Sequence, residues 1–214
     1  MAEQDEGLIE KQHDRCDVVR TARTKVLRTN RRHQWEKDRA RQPKATRLQT
    51  GSTEHDTGLT VNDLVFHSAY QESTADQRIA DALGVPEGTP LVERTYRTRH
   101  AAETAPFALV TSYLVRALVE SNPKLLDAAN EPWPGGTQNQ LLSVGIELDR
   151  IEERVTARPP TPEEAEELEL PPGTSVFLVR KRSYDVNGRV VEMSDVTLAG
   201  DRTEVLFATP LERW

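Results

Sequence analysis

The chain repeats itself. Residues 80–89 align without a gap on residues 165–174, so that Leu83 falls on Leu168, Pro86 on Pro171, Gly88 on Gly173 and Thr89 on Thr174. The strand-like stretches that follow, residues 91–99 and 176–184, stay in register, with Arg97 over Arg182. One gap later, Pro106, Phe107, Ala108 and Leu109 fall on Val190, Val191, Glu192 and Met193. Each half therefore reads as a helix, a Pro-Gly turn and a two-stranded hairpin. A lone hairpin has two unpaired edges and little core. Two such units are most economically joined as one antiparallel sheet backed by helices, which predicts an α+β fold of two pseudo-repeated halves.

Local signals place the elements. Residues 73–76 precede a pattern with Ile79, Ala82 and Leu83 on one side, a capped helix that Gly84 and Pro86 stop. Thr161 offers a second cap, with Pro162 at the first helical position and Glu163 and Glu164 at the positive dipole end. Asn187-Gly188 is the strongest hairpin turn in the chain. Residues 105–115 and 146–157 read as extended, 117–129 and 138–144 as helical, and 132–136 as a firm loop.

Charge divides the chain unevenly. Residues 1–50 carry 13 Lys and Arg against 8 Asp and Glu, whereas the remainder carries 15 against 27. Residues 7–20 hold two short apolar runs, Leu8-Ile9 and Val18-Val19, able to oppose each other as strands with His13, Asp14 and Arg15 near the turn. Residues 20–47 are basic and poor in aliphatic side chains, which predicts a solvated linker; residues 48–63 read as loop. Such a split fits an anion-facing segment ahead of an acidic domain, or a well-solvated linker.

Several kinds of chemistry lack their residues. Cys16 is the single cysteine, so neither an internal disulfide nor an all-cysteine metal site is available. His13, His33, His55, His67 and His100 are scattered without a repeated ligand pair, so no metal site is expected. There is no Gly-x-Ser-x-Gly elbow. Gly135-Gly136 is too short for a phosphate-cradling loop. No run approaches the roughly 18 apolar residues of a membrane helix, and the first residues are polar rather than signal-like. A cytoplasmic chain without a membrane partner, a cofactor or catalytic residues is the expectation.

The best candidates for binding are Arg97 and Arg99. Two residues apart on a strand, they share a face. On a concave face they would form a two-armed clamp for a carboxylate or phosphate; on the other they are solvated arginines.

In their order and spacing, several groups of residues together resemble the UTRA domain, the ligand-sensing module of HutC-like GntR-family transcription regulators. They are Thr161 to Ala165, Leu170 to Thr174, Arg182 to Asp185, Gly188, Val190 to Glu192, Gly200 to Arg202, Arg97 to Arg99, Pro106 to Leu109, Gly135 to Thr137 and Gly145-Ile146. The resemblance covers residues 60–214 and implies a chorismate-lyase-like fold, an antiparallel sheet flanked by helices with a ligand cleft between the halves. It places the family's ligand-binding Arg-x-Arg on Arg97 and Arg99, an acidic contact on Glu192, and polar contacts at the start of the middle helix on Thr137 and Asn139. Val110, Thr111, Ser112 and Tyr113 stand where sugar-phosphate-sensing relatives tend to carry an acid, which implies a less polar effector.

By the same resemblance, residues 1–20 look like the wing hairpin that ends a GntR winged helix-turn-helix, and 21–59 like a basic linker. Lys11, His13, Arg15 and Arg20 would then face DNA. The family's usual glycines in the wing tip are replaced by Asp14, Arg15 and Cys16. Only six residues precede Gly7, too few for the helices that read bases, so the DNA-reading helices are expected to be largely missing from this chain. The implied function is a ligand-responsive regulator: a homodimer that binds a small, anionic metabolite and, in the full-length family, DNA. The alternative that the fold allows is a chorismate-lyase-like enzyme.

Overall fold

The structure, a computed structural model, describes residues 23–212 together with two short strands, β1 (Ile9–Glu10) and β2 (Val18–Val19). These two pair antiparallel, with Ile9 opposite Val19. Lys11, His13, Arg15 and Arg20, the expected DNA contacts, lie outside the described residues.

The repeat is realised as one antiparallel sheet of six strands in the order β4-β5-β6-β9-β8-β7. The first half is β4 (Leu64–Thr74), α4 (Gln77–Leu83), β5 (Pro90–His100) and β6 (Ala108–Val115). The second is β7 (Leu148–Arg158), α7 (Pro162–Glu167), β8 (Val176–Asp185) and β9 (Val190–Ala199). The halves meet where β6 pairs with β9, Ser112 opposite Ser194. Each half thus opens with a strand that the sequence repeat did not include. β4 alternates half-buried Leu64, Phe66, Ser68 and Tyr70 with exposed Val65, His67 and Ala69, as a strand at the sheet's rim should.

The capping signals act as expected. The Asp76 carboxylate accepts from the Ile79 N–H at 2.7 Å, and Thr161 Oγ1 accepts from the Glu164 N–H at 3.2 Å. Gly188 takes the left-handed conformation, φ 77°, that the turn between β8 and β9 requires. Residues 117–129 depart from the single helix expected. They hold a short helix, α5 (Arg116–Val119), and two 3₁₀ turns, Pro123–Leu126 and Ala128–Asn130. Asn122 and Asp127 cap these turns through their own side chains and so compete with a continuous helix.

Helices α4 and α7 lie on one face of the sheet. Ile79, Ala80 and Leu83 of α4 pack on Leu91, Val115 and Met193 there. On the opposite, inner face, α5 and α6 (Gly136–Leu142) cover Val92, Leu114 and Val191, with Val119 and Leu141 fully buried.

The segment expected as a solvated linker is folded onto that inner face. β3 (Val26–Thr29) runs parallel to β10 (Thr203–Leu206), with Val26 opposite Thr203. Then come α1 (Arg32–Ala40), α2 (Lys44–Arg47) and α3 (Ser52–Thr57), the last in a stretch read as loop. Helix α1 packs against α6, and Asn139 Nδ2 donates to the Ala40 carbonyl at 2.7 Å. Polar composition misleads here because the segment is held by charge rather than by an apolar stripe: Arg28 pairs with Glu153, and Arg32 with Asp56 at 2.6 Å. Among the described residues, no helix is long and apolar enough to cross a membrane.

Candidate functional site

A cavity of about 480 Å³ lies between the inner face of the sheet and the folded N-terminal segment. Its floor follows strand alternation: Tyr96 and Thr98 from β5, Val110 and Ser112 from β6, Glu192 and Ser194 from β9, Lys181 and Ser183 from β8. Its roof is Arg28, Arg32, His33, Glu36 and Arg39, with Arg47 and Asp56 at the side. Phe66, Phe107, Val110, Trp133 and Leu198 give it apolar walls.

On the same inner face, running from the floor to α6, lies a buried polar network in which the Arg94 Nε lacks a partner. Arg94 is fully buried and donates to Gln140 Oε1 and Ser112 Oγ, both at 2.8 Å, with Glu192 Oε1 at 3.4 Å. Glu192, 2% exposed, also accepts from the Ser112 and Ser183 hydroxyls at 2.8 Å and faces Lys181 Nζ at 3.0 Å. Burial alone would push the Glu192 carboxyl up; Lys181 and Arg94 overcome it and hold the group down to about 2. The Arg94 guanidinium sits 5.9 and 5.7 Å from the ring centres of Tyr70 and Tyr96. Those phenols share the Glu131 carboxylate, to which Gln140 Nε2 also donates at 2.8 Å. Burial raises Tyr96 well above the usual phenol range.

A second charged group ties the roof to the sheet. His33 Nε2 lies 3.2 Å from Glu153, which also pairs with Arg28, and Arg32 bridges Glu36 and Asp56. Burial would raise Glu36 and Glu153. Arg32 beside the first, and His33 with Arg28 beside the second, hold both below the usual carboxylate range instead.

The expected site residues divide. Glu192 and Thr137 border the cavity. Asn139 is turned to structural use, accepting from Trp133 Nε1 at 2.8 Å while it donates to Ala40. Arg97 and Arg99 share a face, but it is the outer one. Arg97 pairs with Glu167 of α7, and Arg99 donates to the carbonyls of His100, Ala101 and Glu103 in the turn after β5. The clamp expected on the inner face is therefore corrected: Arg94, Tyr96 and Thr98 occupy that side of β5. Alternation says which residues travel together, not which set faces inward. Arg94 was nevertheless signalled by its place in a strand that begins with Leu91 and Val92, where a charge must find a buried partner. Lys181, Glu131 and the arginines of the N-terminal segment carried no comparable signal.

Comparison with known proteins adds the following. Residues 68–204 match the family described as the UTRA domain. The chain is 34% identical over 129 residues to an uncharacterized HTH-type transcriptional regulator of Streptomyces coelicolor, a match covering 60% of this chain and 47% of that protein. It is 29% identical over 145 residues to another from Rhizobium meliloti, covering 65% and 55%. The chain spans about half the length of these curated relatives. Among solved structures, PhnF from Mycobacterium smegmatis superposes with a TM-score of 0.64 at 20% identity, over 99% of this chain and 82% of that one. The effector domain of PhnF gives 0.56 at 22% identity, over 70% and 90%.

Proposed function

The chain belongs to the UTRA family, and from that membership we propose that it is the metabolite-sensing part of a HutC-like GntR transcription regulator. It binds a small, anionic effector in the cavity over β5, β6, β9 and β8 and passes the bound state to a DNA-reading head. A cytoplasmic homodimer is part of the same reading.

One observation supports it above the others: the cavity is roofed by the segment that leads back to the β1–β2 hairpin. A ligand there touches the sheet and that segment at once, so it stabilises the docked arrangement by its preference for it. Thr137 borders the ligand space. Glu192 shapes the floor, because its oxygens are already engaged. Held down to about 2, Glu192 is also a weak base, far from the neutral range that suits proton abstraction.

The test is a thermal-shift screen of anionic metabolites, followed by hydrogen exchange with any hit. A ligand is expected to raise Tm and to slow exchange across residues 26–57. Stabilisation without added protection there would remove the coupling. Catalytic release of pyruvate from chorismate would replace the sensor with an enzyme.

A further inference from the structure

Resting on the sensing reading above, we propose that Arg39 and Arg47 form the anion seat of the cavity. Its ligand carries one carboxylate or phosphate group on a compact apolar body.

The other cations of the site are matched. Arg28 faces Glu153, Arg32 faces Glu36 and Asp56, and Lys181 and the adjoining Arg94 face Glu192. Among the described residues, Arg39 and Arg47 line the same cavity with no acidic side chain at ion-pair distance. Glu54, also on the wall, caps the Gly51 N–H at 2.8 Å instead. Arg39 is 8% exposed, and the Nε atoms of both arginines are buried without a hydrogen-bond partner, as are those of Arg28, Arg32 and Arg94; what sets Arg39 and Arg47 apart is that, among the described residues, no carboxylate pairs with them. One terminal nitrogen of each donates to a neutral carbonyl, Arg39 to that of Arg47, and Arg47 to that of Pro134 at 2.6 Å.

A buried cation without a counter-charge is costly. Burial lowers the Arg39 guanidinium from its ordinary value even against the pull of Glu54 and Glu36, neither at ion-pair distance, and Arg47 adds to the lowering; an arriving anion acts in the reverse direction. The arrangement is also held in place. Arg39 stacks 5.2 Å over the Trp35 ring. Gly135 admits the Arg47 side chain, since a Cβ there would meet Arg47 Cδ at 3.0 Å. Phe66, Phe107, Val110 and Leu198 supply walls for an apolar body, and about 480 Å³ suits a small metabolite. The anion contact thus comes from the segment 32–47, not from the strand arginines Arg97 and Arg99.

Calorimetry on the 214-residue chain tests this with phenylacetate, phenyl phosphate, inorganic phosphate and the neutral isostere phenylacetamide. Phenylacetate or phenyl phosphate is expected to bind at least about tenfold more tightly than the amide, and the stronger of the two names the anion class. Arg39→Gln and Arg47→Gln should each lose about tenfold or more, and Arg39→Lys less; Arg97→Ala should lose nothing. Should Arg39→Gln fail to fold, Arg47→Gln and Arg39→Lys carry the test. Equal binding of acid and amide, or a loss in Arg97→Ala as large as in Arg47→Gln, overturns the seat. So does the absence of binding by every anion at millimolar concentration. A neutral metabolite that raises Tm while no anion binds would sink the seat and leave the sensing reading standing.

Discussion

Arg94 and Glu192 show what a buried charge pair does for one fold. Each offsets the other's desolvation cost only while Ser112, Ser183, Gln140 and Lys181 engage the terminal nitrogens of Arg94 and the oxygens of Glu192. Replacing Arg94 by Met, or Glu192 by Gln, is therefore expected to cost about 3–5 kcal/mol. The double replacement Arg94→Met with Glu192→Gln should cost less than the sum, which denaturant melts of the four proteins in the cycle will measure. Acid acts on the same pair. A carboxyl held down to about 2 against an ordinary 4.5 contributes stability that is complete above pH 4.5 and is lost as pH falls toward 2. Its size is on the order of 3 kcal/mol. Tm should be steady near neutrality and fall through that window, with a shallower fall in Glu192→Gln. A flat profile down to pH 2 would contradict the network.

At the level of elements, the glycine pair before α6 separates two kinds of backbone requirement. Both take positive φ, 97° at Gly135 and 62° at Gly136. A Cβ at Gly136 meets nothing within 4 Å, whereas at Gly135 it meets Asn139 Cβ at 2.8 Å and Arg47 Cδ at 3.0 Å. Gly136→Ala should cost about 1–2 kcal/mol for the left-handed backbone alone. Gly135→Ala should cost more and also speed hydrogen exchange in residues 26–57; equal costs would show that Arg47 does not need that space. What was legible in the sequence follows the same division. The caps at Asp76 and Thr161, the Asn187-Gly188 turn and the register of the two halves are local chemistry, and each stands where the residues put it. β4 was missed because exposed His67, Gln71 and Glu72 break up the apolar alternation of a rim strand. The N-terminal segment was read as solvated because ion pairs with distant Glu153 and neighbouring Asp56 hold it, and pairing across the chain leaves no periodic trace. Of the expected contacts, Glu192 and Thr137 border the cavity, whereas alternation left open which side of β5 faces inward.

For the whole molecule, apolar side chains gather near the C-terminal strand on the outside: Leu206, Phe207 and Leu211 are 47%, 59% and 87% exposed. Exposed apolar groups gathered in this way favour association, in keeping with the proposed homodimer. Sedimentation is expected to give a dimer at tens of micromolar, and Phe207→Asp to weaken it. A monomer at that concentration would remove the dimer from the reading. The parallel ladder between β3 and β10 has a bearing of another kind. Val26 leaves the ribosome long before its partner Thr203 exists, so the nascent chain carries β3 without its ladder while the strands of the sheet are being made. The ladder that anchors the start of the roof can therefore form only after every strand of the sheet has been synthesised.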